Sequence, residues 1–458
     1  MNSNVRKVGI FSPEPHHTDS AILVSVKQEL MLSGNTEGKP RSKERQFDFS
    51  SYPSRKIALR LAYHGHIYCG LVRQAETPNT VEAYLVAALE RLRFVEPSGP
   101  KDFSRCGRTD KGVSALGNVV SFTSRASSWA TDEQQQPPLD YCEKLNNVLP
   151  PTIRIVGWSY VNADFDARFS CTGRTYRYYF CNRGLNLEAM RKAVGYLKGV
   201  HNFRNFCKTD VVNVNNYERH VRHADIVGSD MLPDLVSYFE IEANSFLYNQ
   251  IRCTMEVLFL VGRCLEEPEV VKQLLDCGDR KPVYPLADAT PLVLWECHFE
   301  GVRWNISQRA CLNAESELLD IATALLIRST VAFSMRSQLF AWYSEHTDDN
   351  GEAIFFEGQN QGICPGDQWS VVGSDWTDER THNSLRVRKS DIFALSKKVK
   401  MGSKGPLTSK PYTKLLDRET ERTFEEEVEL LSAKKRARFE VNMEKKKFHE
   451  EHRCGNPT

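Results

Sequence analysis

One short stretch in the first third of the chain decides the expected fold, and it reads Cys106-Gly107-Arg108-Thr109-Asp110-Lys111-Gly112-Val113-Ser114-Ala115-Leu116-Gly117. A single carboxylate, Asp110, lies between two glycines in this stretch, beside a threonine and a lysine. Glycine permits positive φ and close approach by another backbone segment. The apolar residues that follow, at 119–122, are typical of a strand. We therefore expect a tight loop that presents one acidic side chain beside a strand.

Strand and helix patterns alternate around this loop. Every second residue at 57–63 is apolar, which predicts a half-buried strand, and the capping-box pattern Asn79-x-x-Glu82 predicts the start of a helix. Further strands are predicted at 153–156, 174–180, 235–241 and 292–299, and helices at 187–198 and 245–264. This order of elements favours an α+β fold.

Composition divides the chain into four parts. Residues 1–54 are polar and lack periodicity, which predicts a flexible N-terminal leader. Residues 55–130 form an N-terminal subdomain with the Asp110 loop, and residues 131–305 form a C-terminal subdomain that opens with an exposed polar loop. Residues 306–458 are expected to be a helical and charged C-terminal extension that is partly disordered.

Bulk composition restricts the class of protein. The chain has 458 residues, a net charge of +1 and 41% hydrophobic residues, which is ordinary for a globular protein. We find no run of 18 or more apolar residues and no signal-peptide pattern, so neither a membrane span nor secretion is expected. The 13 cysteines are scattered without a C-x-x-C pair, which favours reduced thiols over disulfides or a metal site. A nucleophilic role for Cys106 lacks an identifiable histidine partner.

Local charge is less balanced than the total. Between residues 166 and 223, eleven lysines and arginines face four acidic residues, with tyrosines and phenylalanines interleaved. Such a stretch is typical of proteins that bind a polyanion with stackable bases. A solvated basic face remains the alternative.

Five sequence blocks resemble the TruA-type tRNA pseudouridine synthases in order and spacing. The Asp110 loop resembles the catalytic motif of that family, and residues 167–178 and 246–252 resemble its second and third motifs. Two further blocks, at 63–74 and 199–203, are similar to its first loop and to a later signature. The resemblance implies the pseudouridine synthase fold, in which two catalytic α/β subdomains with mostly antiparallel sheets flank a central basic cleft and helices pack on the outer faces.

The same resemblance implies roles for individual residues. Asp110 would be the nucleophile, Arg252 its cationic partner, and Arg108 the residue that displaces the target base. Tyr176 would contact the target base; from the residues alone it is either a surface on which the base stacks, which is worth roughly 1–3 kcal/mol per base, or a core tyrosine between neighbouring strands. The remaining substrate-binding candidates are Thr109, Lys111, Arg168 and one of the pair Leu292 and Leu294. Lys111 is interpreted as a phosphate contact.

Finer features resemble the eukaryotic tRNA pseudouridine-38/39 synthases. These features are Lys111, Ser114 and the segments 202–208 and 291–297. The implied activity is isomerisation of uridine to pseudouridine in the tRNA anticodon stem-loop. This reaction needs no cofactor or metal, because it transfers no electrons and no external group. The implied partner is tRNA, with no membrane, and the oligomeric state stays open.

Two other classes of function are weighed against this one. A catalytically silent tRNA-binding protein or chaperone would share the fold and the basic stretch. A nucleotide-phosphate-binding enzyme would need a lysine after Gly112, but Val113 stands there. The basic run at 434–438 could be a nuclear-import patch, an RNA contact or a solvated helix face, so we expect the protein in the nucleus, the cytoplasm or both.

Overall fold

The structure, a computed structural model, describes residues 47–126, 140–214, 216–276, 278, 280–345 and 412–453. Within these ranges nine strands form one continuous sheet. The strands are β1 (Ser54–Tyr63), β2 (Lys101–Arg105), β3 (Ser114–Arg125), β4 (Ile153–Tyr160), β5 (Gly173–Cys181), β6 (Gly199–Asn202), β7 (Glu218–Gly228), β8 (Val236–Ala243) and β9 (Leu292–His298). Their order across the sheet is β4-β1-β3-β9-β5-β8-β7-β6, and β2 pairs with β3 beside this path.

Eight α-helices lie in the same described ranges. They are α1 (Val81–Arg91), α2 (Tyr141–Asn146), α3 (Leu187–Gly195), α4 (Gln250–Gly262), α5 (Val270–Asp276), α6 (Gln308–Glu345), α7 (Phe424–Glu429) and α8 (Ala433–Arg453). Helix α4 is apolar on nearly every side, and almost all of its side chains are buried. A helix with no polar face is a core helix, and α4 packs in one apolar cluster with β5, β7 and β8.

Strand β9 joins two halves of the sheet: the first half consists of β4, β1, β3 and β2, and the second half consists of β5, β8, β7 and β6. It pairs in parallel with β3 through Ser114↔Val293 and Ala115↔Leu294, and in antiparallel with β5 on its other edge. All other strand pairs are antiparallel. The α+β class is therefore confirmed, but the expectation of a separate sheet in each subdomain is wrong. The reason is physical: β9 offers hydrogen-bonding groups on both edges, and each half of the sheet uses one edge.

The apolar core consists of two clusters, one under each half of the sheet. Residues of α2 and β4, including Tyr141 and Trp158, pack in the first cluster with β1 and β3. The predicted division at residue 131 thus does not coincide with the division between the clusters. Leu294 belongs to the first cluster and Leu292 to the second, while Tyr176 contacts both. The Asp110 loop and Tyr176 therefore lie where the two halves meet.

Most predicted elements are confirmed, with shifted ends. Thr80 rather than Asn79 caps α1, because its side-chain oxygen accepts the amide of Ala83. Strands β2, β6 and β7 carry no clear alternation and were not predicted from the sequence. The predicted leader lies almost wholly outside the described residues, and the polar loop at 131–138 and residues 346–411 lie wholly outside them.

Helix α6 departs from the expectation that no segment could span a membrane. An 18-residue window within its residues Gln308–Leu339 has a mean hydropathy of 1.5, so the helix is long and apolar enough to do so by length and composition. The helix carries charged residues at intervals, including Asp320, Arg328 and Arg336, which broke the apolar run on which the expectation rested. Its first turns are tied to the sheet by the ion pair between Arg154 and Glu317.

Candidate active site

The Asp110 loop is held by backbone hydrogen bonds to the segment that follows β1. The Thr109 carbonyl accepts the amide of Leu71 at 3.1 Å, and the Gly112 amide donates to the Tyr68 carbonyl at 3.2 Å. Gly112 has φ +85°, a conformation that a residue with a side chain adopts only with strain. The two attachments fix the loop on both sides of Asp110, as the spacing of the glycines predicts.

A buried polar network supports the loop from below. The Asn118 side chain accepts the Gly107 amide at 3.1 Å and donates to the Gly107 carbonyl and to the Tyr63 hydroxyl at the same distance. The Tyr63 hydroxyl is in turn 2.8 Å from the Thr109 hydroxyl. A buried polar network in which each group has a partner makes a rigid support, because an unpaired buried group is costly. Thr109 is therefore engaged with the protein interior, and its predicted contact with a substrate stays a prediction.

Arg252 lies opposite Asp110, as predicted. Its Nη1 is 3.6 Å from Asp110 Oδ2, and the two side chains are 18% and 35% exposed. The guanidinium is oriented by two further acceptors, the Ala287 carbonyl at 2.8 Å and Asn249 Oδ1 at 3.3 Å. Asn249 precedes α4 with φ +59°, a conformation that asparagine tolerates better than most residues. Both ends of the ion pair are thus fixed by local structure.

Burial and charge act in opposite directions on Asp110. Partial burial raises the pKa of its carboxyl above the ordinary value, and the Arg252 guanidinium offsets part of that increase. Arg252 is present as the expected cationic partner of Asp110, but burial has the larger effect on the pKa of this carboxyl. A carboxylate that is poorly solvated is a better nucleophile than one that is fully hydrated.

Tyr176 lies beside the loop and belongs to β5, which β9 separates from β3. A side chain at Gly107 would place its Cβ 2.7 Å from Leu294 Cδ2 and 3.7 Å from the Tyr176 hydroxyl. The ring of Tyr176 meets Phe246 edge to face, with centroids 5.1 Å apart. Leu294 is the strand partner of Tyr176, whereas Leu292 pairs with Tyr178. Of the two leucines left open by the sequence, Leu294 is the one against the Asp110 loop.

The remaining predicted site residues lie on the exposed surface of these loops. The side chains of Arg108, Lys111 and Arg168 are exposed. The Arg168 guanidinium lies 5.3 Å from the centre of the Phe169 ring, and that ring is 79% exposed. The arrangement leaves three cations and one aromatic ring free to meet a polyanion.

Much of the basic stretch has partners inside the protein. Arg177 pairs with Glu240 and lies 3.8 Å from the centre of the Trp295 ring, and Lys192 pairs with Glu269. Arg222 pairs with Glu242. The Arg174 side chain donates to the backbone carbonyls of Cys106, Arg168 and Asn244. These cations brace the fold, so the charge count alone overstates what is available to a nucleic acid.

Three residues that position the site were not predictable as site residues from the sequence. Asn118 and Tyr63 form the network under the loop, and Arg174 ties the loop to the segment before β5. The one signal for Asn118 was an amide side chain inside an apolar strand. Arg174 was counted in the basic stretch, and only the fold reveals that its guanidinium is buried.

Replacement of Gly65 by alanine is expected to destabilise the protein by at least about 2 kcal/mol. A Cβ at Gly65 would overlap the Val113 carbonyl and lie 2.8 Å from the Ser114 amide nitrogen, and both are backbone atoms of the segment that leaves the loop. The matched control is Gly195→Ala in α3, where a Cβ meets nothing within 4 Å. Urea unfolding of both variants measures the difference, and equal midpoints would contradict this packing.

Several known proteins have sequences similar to this chain. The family described as tRNA pseudouridine synthase matches residues 193–300. The human tRNA pseudouridine(38/39) synthase is 40% identical over 306 residues, which cover 62% of this chain and 63% of the human protein. A probable tRNA pseudouridine synthase of Caenorhabditis elegans is 36% identical, over 58% of this chain and 72% of the relative. The tRNA pseudouridine synthase A of Thermococcus kodakarensis is 31% identical, over 60% of this chain and 97% of the relative.

The chain has an α+β fold, and the pair of Asp110 and Arg252 lies where the two halves of the sheet meet. Asp110 is the candidate nucleophile of this site. Because this chain covers nearly the whole archaeal relative at more than 30% identity, it belongs to the tRNA pseudouridine synthase family. The chain spans less than two thirds of the length of the human relative.

Proposed function

We propose that the protein isomerises uridine to pseudouridine in tRNA, with Asp110 as the nucleophile. The observation that carries this proposal is the partly buried ion pair between Asp110 and Arg252, on a loop held rigid by Tyr63 and Asn118. A fixed carboxylate with a fixed cation beside it is suited to attack a carbon centre and to stabilise the charge that develops there. The name of the family to which the chain belongs, tRNA pseudouridine synthase, supports tRNA as the substrate.

The target nucleotide has to leave its stack before Asp110 can reach it. Extrusion costs a few kcal/mol, and contacts that accept the base offset this cost. We propose that Tyr176 and Leu294 form the surface that receives the uracil and that Arg108 occupies the space that the base vacates. Lys111 and Arg168 would hold the phosphates on either side, because exposed cations position a backbone without reading its sequence.

Isomerisation then needs three steps at one place. The glycosidic bond breaks, the uracil turns within the pocket, and a carbon–carbon bond forms to the same sugar. Asp110 holds the detached fragment, which would otherwise diffuse away. The buried network of Asn118 and Tyr63 under Gly107 limits the access of water to the site. No external group enters, so the residues of the site supply everything that the reaction uses.

We infer that the uridines are those at positions 38 and 39 of the anticodon stem-loop. The support is the 40% identity to the human tRNA pseudouridine(38/39) synthase. The two halves of the sheet would then flank a basic cleft that takes the stem. The basic run in α8 supports action in the nucleus or the cytoplasm.

Transcripts of one tRNA test both parts of the proposal. The wild-type transcript is expected to gain pseudouridine at positions 38 and 39, and a transcript with cytidine at both positions is expected to gain none. Chemical mapping of pseudouridine after incubation with the purified chain gives the readout. Product at other uridines would reject the position but keep the activity, whereas tight binding without product would favour a silent tRNA-binding protein.

The activity is expected to fall in acid at a pH above the ordinary range of an aspartate. The pKa of Asp110 is raised by burial, and the reaction needs the ionised form. Activity is therefore present above the raised pKa and is lost as the pH falls through it, whereas a free aspartate has a pKa of about 3.9. Single-turnover rates measured from mildly acidic to neutral pH give the profile. An acid limb at or below that ordinary value would contradict the burial argument.

A further inference from the structure

A segment near the C-terminus, residues 412–421, packs in the apolar cluster under the second half of the sheet, and we call it the strap. Leu415 of the strap is fully buried in that cluster. The buried Glu266 carboxylate accepts the Leu415 amide at 2.7 Å and the Tyr412 hydroxyl at 2.6 Å. A buried carboxylate holds its donors firmly, because loss of them would leave a buried charge unsatisfied. The strap is therefore part of the folded core, although it lies far along the chain from β9.

The end of the strap pairs with the segment 281–287, which runs towards the candidate active site. The Glu421 amide donates to the Lys281 carbonyl at 2.7 Å, and the Val283 amide donates to the Glu419 carbonyl at 2.9 Å. The Lys281 ammonium is also 2.9 Å from the Glu421 carboxylate, and the two side chains are 7% and 36% exposed. A lysine buried this deeply needs its counter-ion, because an unpaired buried charge is strongly destabilising. The start of the segment 281–287 is thus anchored to the strap.

The same segment ends at the backbone groups that hold Arg252. The Ala287 carbonyl accepts Arg252 Nε at 2.8 Å, and the Ala287 amide donates to the Arg252 carbonyl at 3.4 Å. Between the two ends, the buried Tyr284 hydroxyl donates to the Asn205 carbonyl. Two prolines lie in the segment, and each fixes one backbone dihedral. The segment is therefore a stiff link from the strap to the guanidinium that faces Asp110.

We propose that Glu421 is a positioning residue for the reaction and that it acts on Arg252 through Lys281 and Ala287. Glu421 is the strap residue that carries this role, because both its carboxylate and its backbone amide contact Lys281. It touches no reacting atom and contributes by keeping the Arg252 guanidinium beside Asp110. This inference rests on the proposed function, since it concerns the same ion pair. It makes a segment outside the nine-stranded sheet a condition for full activity.

Glu421→Gln in the full-length chain tests the role in catalysis. We expect the single-turnover rate at saturating tRNA to fall by about tenfold, less than the roughly 100-fold that a 1 Å misplacement of a catalytic group costs. The affinity for tRNA should stay the same, because exposed cations elsewhere hold the RNA backbone. Glu421→Asp keeps the charge and should recover most of the rate. The matched control is Glu427→Gln, which removes an exposed ion pair with Arg422, 3.5 Å long, just beyond the strap. An equal loss in the control, or a loss in affinity alone, would overturn the proposal.

Combination with Arg252→Gln separates positioning from a general weakening of the fold. If Glu421 acts through Arg252, its replacement has little left to disturb once the guanidinium is gone. Glu421→Gln should then slow the Arg252→Gln chain by less than about twofold, because the effects of residues that act as a unit do not add. A further loss of about tenfold, as in the wild-type background, would show that Glu421 acts by another route.

Amide hydrogen exchange gives a second readout that needs no RNA. Peptides that cover 281–289 should exchange faster in Glu421→Gln than in wild type, because the link is anchored less firmly, whereas peptides from β1 should be unchanged. Unchanged exchange at 281–289, or faster exchange in β1 as well, would reject a link from the strap to the site. If the exchange changes as expected but the wild-type chain makes no pseudouridine, the proposed function fails and the physical link stands.

Discussion

Asp110→Asn is expected to lower pseudouridine formation by at least about 10⁴-fold, because loss of a nucleophile removes the covalent route. Asparagine keeps the size of the side chain and accepts hydrogen bonds, but it carries no charge to attack with. The variant and the wild-type chain are compared in single-turnover reactions on one tRNA transcript. A residual rate within tenfold of wild type would sink the assignment of Asp110.

The same variant is expected to remain folded and to bind tRNA. The pKa of Asp110 is raised in the folded protein, so ionisation is less favourable there than in the unfolded chain. At neutral pH the charge therefore lowers stability, and that contribution disappears as the pH falls below both pKa values. Asparagine removes the charge, and we expect a urea midpoint equal to or above that of wild type. A sharply lower midpoint would mean that the lost activity reports unfolding.

Arg252→Gln is expected to lower the rate by about 100-fold or more, comparable to the loss of one preorganised charge-stabilising donor. Two effects combine in this variant. The carboxylate loses the cation 3.6 Å away, so its pKa rises further and the acid limb of the pH profile moves to higher pH. The guanidinium contacts with the Ala287 carbonyl and Asn249 are lost as well.

Arg252→Lys and Arg309→Gln separate these effects. Lysine keeps the positive charge without the planar donor geometry, so we expect an intermediate rate and a smaller shift of the acid limb. Arg309 is 77% exposed and pairs with Glu143 away from the site, so its replacement should leave the rate unchanged. Equal pH profiles for wild type and Arg252→Gln would show that Arg252 does not act on Asp110.

The strands around the site were predictable because their patterns are local. Alternation at 57–63 and the aromatic run at 174–180 identify β1 and β5 without any knowledge of the fold. The joining of the two halves was not predictable in this way, because the parallel pairing of Ser114 with Val293 depends on residues far apart in the chain. Strand β7 escaped because its buried residues, Val221, Ala224 and Ile226, do not alternate strictly, and its pairing with β8 is irregular between Val221 and His223.

The site was predictable in its chemistry and less so in its support. The residue types at 110 and 252 and the family motifs around them identify the ion pair. Burial outweighs the Arg252 guanidinium in setting the pKa of Asp110. This balance depends on how closely the loops pack, and a sequence motif does not contain that information. Likewise Asn118 looks like an isolated polar residue until its amide is seen to hold both backbone groups of Gly107.

The position of β9 has a consequence for the order in which the protein is made. The strands before Gly173 emerge from the ribosome early and can pair among themselves, but the edge of β3 that accepts β9 stays open until Leu292 has been translated. Because Leu294 closes the space behind Gly107, a nascent chain acquires a complete pocket only after both halves exist. Until then the β3 edge is uncovered, and the nascent chain is at this stage most prone to aggregation and most dependent on chaperones.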